Sequence, residues 1–270
     1  MRRFFSQQIR RLRTNLQLSL LPGFVAMGDF HADDVFIAGF PKSGNTWMQL
    51  LIASLMYGLD PEVAHDSLIQ ELVPDVHYKK VFKRFQTPTF FKTHLPPQPE
   101  YRRVINIVRD GRDIIASSRY YISVLGGDVA DVDMIDLPTQ LGFGAWHDHI
   151  EAWHANPFGA MMLVVRYEDL IDDCVGQLER MADFVGVAPT RQRLAAIASA
   201  TTAEQMKAKE RRVQWDNSSW PKDRPFIRQG RKGGFHEELT PDQIRRFTER
   251  AGRALALCGY LDTASQRAAA

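Results

Sequence analysis

The chain has 270 residues, 44% of them hydrophobic, enough to bury one sizeable core, so a single domain with loop insertions is expected rather than two. A formal charge of +2 does not indicate a dedicated nucleic-acid binder, and no apolar run reaches membrane-spanning length. Cys174 and Cys258 are far apart and lack metal-ligand spacing, which suits two reduced thiols in a cytoplasmic protein.

Residues 1–24 carry Arg2, Arg3, Arg10, Arg11 and Arg13 and no acid. Phe5, Ile9, Leu12, Leu16 and Leu20 recur every three or four residues, which predicts one apolar helical stripe. That stripe could dock on its own domain, or lie on an anionic membrane as a peripheral contact. Nothing in the segment has the pattern of a cleavable secretory signal.

Val35–Ala38 reads as a buried strand and Trp47–Met56 as a helix. Between them Gly39, Pro41, Ser43 and Gly44 predict a tight turn with few bulky side chains. Such a turn is either a plain connection or an anion site, because its unpaired N–H groups and the positive helix end favour phosphate. It lacks the GxxxxGK[ST] order of nucleoside triphosphatases, since Lys42 precedes the glycine and the Ser–Thr positions.

Asp60 to Phe85 is irregular, with room for one short helix, and a core strand is expected near Thr89–Lys92, before Pro96 and Pro99 break the chain. Val104–Val108 predicts a further strand, followed at once by RDGRD and a helix over Ile114–Tyr121. Met161–Val165 reads as strand and Cys174–Val185 as helix. Strands alternating with helices imply a mostly parallel sheet covered on both faces, an α/β fold. Ser123 to Gly142, with four aspartates between Asp128 and Asp136, is expected to be a mobile excursion that gates a site. Met206 to Phe235 is charged, contains Pro and Gly, and is expected to be irregular as well. Thr240-Pro241-Asp242 predicts a capped helix running to Leu257, and the alanine-rich tail is expected to fray.

Four segments could carry chemistry. Lys92-Thr93-His94 ends a core strand, where ligand crevices of open α/β sheets lie. His94 can accept a proton near neutrality, whereas lysine supplies charge but no acceptor until deprotonated. Arg109 offers a planar fork of donors at the next strand end, and Ser117 follows about two helical turns later. Arg228, Gly230, Arg231 and Lys232 form either another anion cradle or a solvated charged loop.

Together the four resemble the cytosolic-type sulfotransferases that use 3'-phosphoadenosine 5'-phosphosulfate (PAPS), and the chain is identified as a bacterial-like member. The resemblance implies a single α/β domain over 31–262, with a central, mostly parallel sheet flanked by helices and a P-loop-nucleotide-kinase-like architecture. A basic segment 1–30 precedes it and a frayed tail 263–270 follows. It implies that Lys42, Ser43, Gly44, Asn45, Thr46 and Trp47 hold the phosphosulfate and adenine. Arg109 and Ser117 fall on the 3'-phosphate positions. Tyr167 and Thr201 are carried to the adenine side, and Arg228, Gln229 and Gly230 to a closing loop. His94 would be the base, with Lys92 and Lys42 opposing charge on the transferring group and Ser117 restraining a lysine until the acceptor binds. The product would be adenosine 3',5'-bisphosphate (PAP), with no metal required. The acceptor would be a hydroxyl on a small or lipid-like molecule.

Gln229 replaces a common lysine of the family, and Gly234-Phe235 stands where an aspartate–tryptophan pair is common. His236, Pro241 and Arg245 depart from the family's short dimerisation pattern, so the oligomeric state is left open. The alternatives are a nucleotide-dependent kinase and a non-catalytic nucleotide- or lipid-binding module. Phe82, Phe85, Phe90, Phe91, Phe143, Trp146 and Trp153 could line an acceptor pocket or fill the core.

Overall fold

A computed structural model of the protein describes residues 21–127, 129, 132–213 and 220–261. The apolar stripe from Phe5 to Leu20 and the tail from 262 lie outside the described residues. Strand β1 (Phe24–Ala26) belongs to a small ribbon at the edge of the domain, and β2 (Val35–Ala38) is the first strand of the main sheet. Helix α1 (Asn45–Tyr57) follows β2, and α2 (Asp66–Leu72) falls within the stretch expected to hold one short helix. β3 (Val81–Lys83) pairs antiparallel with β1. β4 (Phe90–Thr93), β5 (Arg103–Val108) and, after α3 (Gly111–Val124) and α4 (Trp146–Ala155), β6 (Met161–Arg166) complete the main sheet. Its order is β4-β2-β5-β6 and every pairing is parallel.

Alternation along β2 sends its side chains to two separate cores, because successive residues of a strand face opposite ways. Val35 and Ile37 pack with Met48 and Leu51 of α1 and with Leu178 of α6 (Cys174–Val185), which follows the short α5 (Tyr167–Asp172). Phe36 joins Phe91, Val104 and Trp153 on the other face, stacked on Phe91 at 5.3 Å and on Tyr101 at 4.1 Å. Fully burying side chains of this size is worth about 1.5–3 kcal/mol each. The sheet is therefore covered on both sides, as the near-continuous apolar strands require.

Beyond α7 (Arg191–Ala200) the chain departs from expectation. The first part of the supposedly irregular Met206 to Phe235 segment is helix α8 (Ala203–Val213). Its pattern is hard to read because polar contacts hold it: Lys209 donates to the Pro61 carbonyl at 2.8 Å, and Glu210 accepts from the backbone of Ile227 at 3.2 Å. The aspartate-rich excursion is likewise only partly loose, since α3 runs on to Val124 and a 3-10 helix spans Met134–Leu141, with Ile135 and Leu137 buried. A short α9 (Phe235–Glu238) leads to α10 (Pro241–Leu257). The helix begins as expected: the Thr240 side chain accepts from Gln243 N–H, and the Gln243 side chain reciprocates on the Thr240 backbone, a capping box with Pro241 at the first turn. Phe247 and Leu255 of α10 then close the core over Phe40 and Trp146. No helix among the described residues is long and apolar enough to cross a membrane.

Candidate active site

The carboxyl ends of β2, β4 and β5 open on one cavity of about 520 Å³. Three parallel neighbours deliver their following residues to the same edge of the sheet, so Lys42, Lys92, His94 and Arg109 all line it. The turn after β2 is built by two left-handed residues, Lys42 (φ 71°) and Gly44 (φ 100°). Left-handed residues of this kind can curl a backbone into an anion-binding concavity, although the Ser43 N–H is spent on the Phe40 carbonyl at 3.1 Å. Lysine tolerates this conformation poorly, so the strain is held in place by the surroundings. Asn45 Nδ2 donates to the Phe40 carbonyl at 2.9 Å, and a Cβ on Gly44 would lie 2.7 Å from the Tyr167 ring.

The Lys42 ammonium sits over the Tyr121 ring at 4.1 Å and the Phe226 ring at 5.2 Å. Burial, and then the charges of Arg109, Lys92 and Arg228, push its pKa down to about 7. Lys92 is instead ion-paired to the buried Asp75 at 2.7 Å. His94 Nδ1 lies 2.7 Å from the Gly39 carbonyl oxygen. A carbonyl can only accept, so Nδ1 carries the hydrogen and Nε2 keeps its lone pair. Burial and the neighbouring Lys92 charge hold His94 well below the usual histidine value, which keeps it neutral and basic-ready at physiological pH.

Arg109 donates to the Lys42 carbonyl at 3.2 Å and the Arg231 carbonyl at 3.1 Å, and its guanidinium lies 4.3 Å from the centre of the Tyr167 ring. Ser117, Thr46 and Trp47 also line the cavity, with Tyr167 edge-on to Trp47 at 5.8 Å. Arg228, Gln229 and Gly230 close the opposite rim, and Arg228 pairs with Glu238 at 2.6 Å. Two expected binders do not line the cavity. Ser43 is fully buried beneath the turn, and Thr201 spends its hydroxyl on the Ile197 carbonyl at 2.9 Å, ending α7. Of the seven candidate acceptor aromatics only Phe143 lines the cavity; Phe82, Phe90, Phe91, Trp146 and Trp153 are core, and Phe85 is exposed.

Sequence reasoning missed Asp75, Tyr78, Tyr121 and Phe226 on the cavity wall. None sits in a motif at a strand end, and a period-based reading has no signal for them. It gave no role to Asp113 of the RDGRD segment, whose carboxylate accepts from Gly233 N at 2.8 Å and Phe235 N at 2.9 Å and so docks the late glycine-rich loop on α3.

The residues present fit a polyanionic nucleotide. Lys42, Lys92, Arg109 and Arg228 concentrate positive charge in one cavity, and Arg109 Nε and Trp47 Nε1 are buried without hydrogen-bond partners. A parallel sheet with a cationic cavity, a neutral histidine and two lysines at its carboxyl edge suits an enzyme that transfers a charged group from a nucleotide.

Comparison with known proteins identifies the group. The sulfotransferase domain family matches residues 32–259. Human sulfotransferase 2B1 is 29% identical over 198 residues, covering 67% of this chain and 53% of its own length, so the chain spans about half of that relative. Mouse sulfotransferase 1E1 is 23% identical over 250 residues, 84% of each protein. Among solved structures, a retinol dehydratase in complex with androsterone and PAP superposes with a TM-score of 0.65 at 18% identity, over 84% of this chain and 81% of that one.

The chain belongs to the sulfotransferase family and is a sulfotransferase, moving a sulfuryl group from PAPS to a hydroxyl acceptor and leaving PAP. One expectation is overturned: its matched relatives are animal proteins, from human, mouse, guinea pig, rat and zebrafish, rather than bacterial ones.

Proposed function

We propose that the cavity sulfates the hydroxyl of a small, lipid-like alcohol, with His94 as the base and Lys42 and Lys92 as the cationic groups flanking transfer. The observation that carries this reading is the His94 Nδ1 contact with Gly39, which leaves Nε2 to take the hydroxyl proton. PAPS supplies the sulfuryl group when bound. His94 removes the acceptor proton as the oxygen attacks, while Lys42 and Lys92 hold positive charge where negative charge grows. The loop N–H groups of Gly44, Asn45 and Thr46 would orient the 5' side, with Ser43 bracing the turn from within through its N–H bond to the Phe40 carbonyl at 3.1 Å, and Trp47 and Tyr167 would flank the adenine. Arg109, Ser117, Arg228, Gln229 and Gly230 hold the 3'-phosphate. Thr201 acts from behind the adenine wall, through the end of α7.

The lipid-like acceptor is supported by Leu141, Phe143, Tyr78 and Tyr121 on the cavity wall, and by the androsterone and retinol named in complexes of the retinol dehydratase. The same reading keeps 31–262 as the catalytic domain, with strand order and anion turn of P-loop-nucleotide-kinase type, in a cytoplasmic protein. Residues 1–24 would bring it to an anionic bilayer as a peripheral contact, supported by their five arginines and no acid.

An acceptor panel of sterols, retinol, phenols, aliphatic alcohols and sugars, assayed with PAPS and with the nucleotide lacking the 3'-phosphate, tests the reading. High-resolution mass should find products heavier by one sulfuryl group among the apolar alcohols. Turnover confined to sugars, or undiminished without the 3'-phosphate, would refute it.

A further inference from the structure

Asp75 lies on no strand of the main sheet, yet it runs parallel to the end of β4 through a single bridge to Lys92. Lys92 N donates to the Pro74 carbonyl at 2.9 Å, and Val76 N donates to the Lys92 carbonyl at 3.0 Å, so the two backbones are fixed against each other. The carboxylate is fixed as well. Its Oδ1 accepts from His77 N at 2.8 Å, while its own carbonyl accepts from Lys79 N at 3.0 Å and Tyr78 N at 3.2 Å. With one oxygen held by the turn, Oδ2 is presented to Lys92 Nζ at 2.7 Å. Asp75 is 1% exposed and Lys92 8%.

Among the described residues, Asp75 is the only carboxylate in ion-pair contact with Lys42, Lys92 or His94. A buried ammonium is held by the opposite charge beside it, so the Asp75 carboxylate at 2.7 Å sets where the Lys92 head group rests. A four-carbon stem left without such a partner, beside the Lys42 charge, would sample many rotamers.

We propose that Asp75 is a positioning residue for sulfuryl transfer, holding the Lys92 ammonium in the orientation from which it meets the sulfuryl oxygens. The inference rests on the reading of Lys92 given above. Asp75 acts through Lys92 and touches no reacting atom itself. Asp75→Asn is the sharpest probe, because the amide oxygen can still accept from His77 N while the counter-charge is gone.

The experiment is a double-mutant cycle on the full chain with D75N, K92M and the double variant, with D75E as the conservative control. Calorimetry measures affinity for PAP and for PAPS, and single-turnover conversion of PAPS to PAP is followed with enzyme in excess, using 4-nitrophenol and, separately, water as acceptor. D75N should bind PAP as the wild type does, and lose roughly tenfold in the PAPS-to-PAP affinity ratio and in the turnover rate. The double variant should be no worse than K92M, and D75E should recover most of the loss.

Wild-type behaviour of D75N, losses that add up in the double variant, or a fall in PAP affinity matching the fall in rate would each overturn the proposal. A K92M protein with wild-type ratio and rate would instead remove the role of Lys92, a result distinct from additivity between two impaired variants.

Discussion

His94 Nδ1 and the Gly39 carbonyl oxygen meet at 2.7 Å although 55 residues separate them. The contact ties the end of β4 to the turn after β2, so the same parallel pairing that forms the sheet also sets the tautomer of the proposed base. Replacing His94 by Ala should lower turnover by about 10²–10⁴-fold while PAP affinity stays near wild type. Because burial and Lys92 hold the His94 pKa below 6.5, the acid limb of the turnover profile should fall below that value. An acid limb at or above it would count against His94 as the titrating base.

Lys42 makes a different prediction, about protons taken up on binding. Its pKa of about 7 in the donor-free cavity means that it has lost much of its charge at mildly alkaline pH. A bound polyanion restores the proton, since opposite charge favours the ammonium. Calorimetry of PAP in buffers of different ionisation heat should therefore show proton uptake that grows from pH 6 to pH 8. Lys42→Met should abolish the uptake. Buffer-independent heats in the wild type would show that Lys42 is fully charged before binding.

For the arginines the readout is discrimination. Arg109→Ala and Arg228→Ala should each weaken PAP by roughly 10–100-fold, the value of a charged hydrogen bond, and leave adenosine 5'-phosphate within about twofold. Arg228 must first give up part of its pairing with Glu238 at 2.6 Å, so its loss should be the smaller. Equal weakening of both nucleotides would place the arginines elsewhere.

His149 lies behind the site, with its ring 5.6 Å from that of Phe40, and burial pushes its pKa down to about 4. The folded value is below the unfolded one, so the unfolded chain binds the proton first. Stability is then complete above about pH 6.5 and falls as pH drops toward 4, by up to about 3 kcal/mol from this group. Denaturation of His149→Phe should show a flatter slope over that window. An unchanged slope would assign the acid sensitivity to other groups.

Gly44→Ala should be severe for two separate reasons. The position is left-handed at φ 100°, and the new Cβ would stand 2.7 Å from Tyr167 Cδ2. A loss of about 1–3 kcal/mol in stability is expected, with PAP binding lost in the same protein. A variant that melts and binds like the wild type would mean the turn is far more tolerant than its geometry implies.

Much of the frame was legible locally. The compact β-branched run around Ile105 is strand wherever its neighbours lie, and Thr240-Pro241-Asp242 begins a helix by hydrogen bonds made within one turn. The Pro41 to Trp47 turn was legible as a turn for the same reason, since its glycine and its flanking strand and helix are contiguous. Helix α8 escaped because its amphipathic signal is masked by lysines and arginines that cap distant carbonyls, such as Lys207 on Gln229 at 2.9 Å. Whether the aromatics line a pocket or fill the core stayed open because alternation tells that a residue is buried, without telling which core receives it.

By itself, then, the sequence pointed to the donor through a family resemblance: the Pro41 to Trp47 turn, the Lys-Thr-His strand end and Arg109 are short motifs whose residues are neighbours in the chain. Only the tertiary structure decided how those groups are tuned. That Lys42 rests on two aromatic rings while Lys92 faces Asp75, and that Gly39 fixes the His94 tautomer, follows from parallel pairing and burial. Contacts of that kind join residues far apart in sequence, and a pKa answers to those surroundings rather than to the chain order that precedes them.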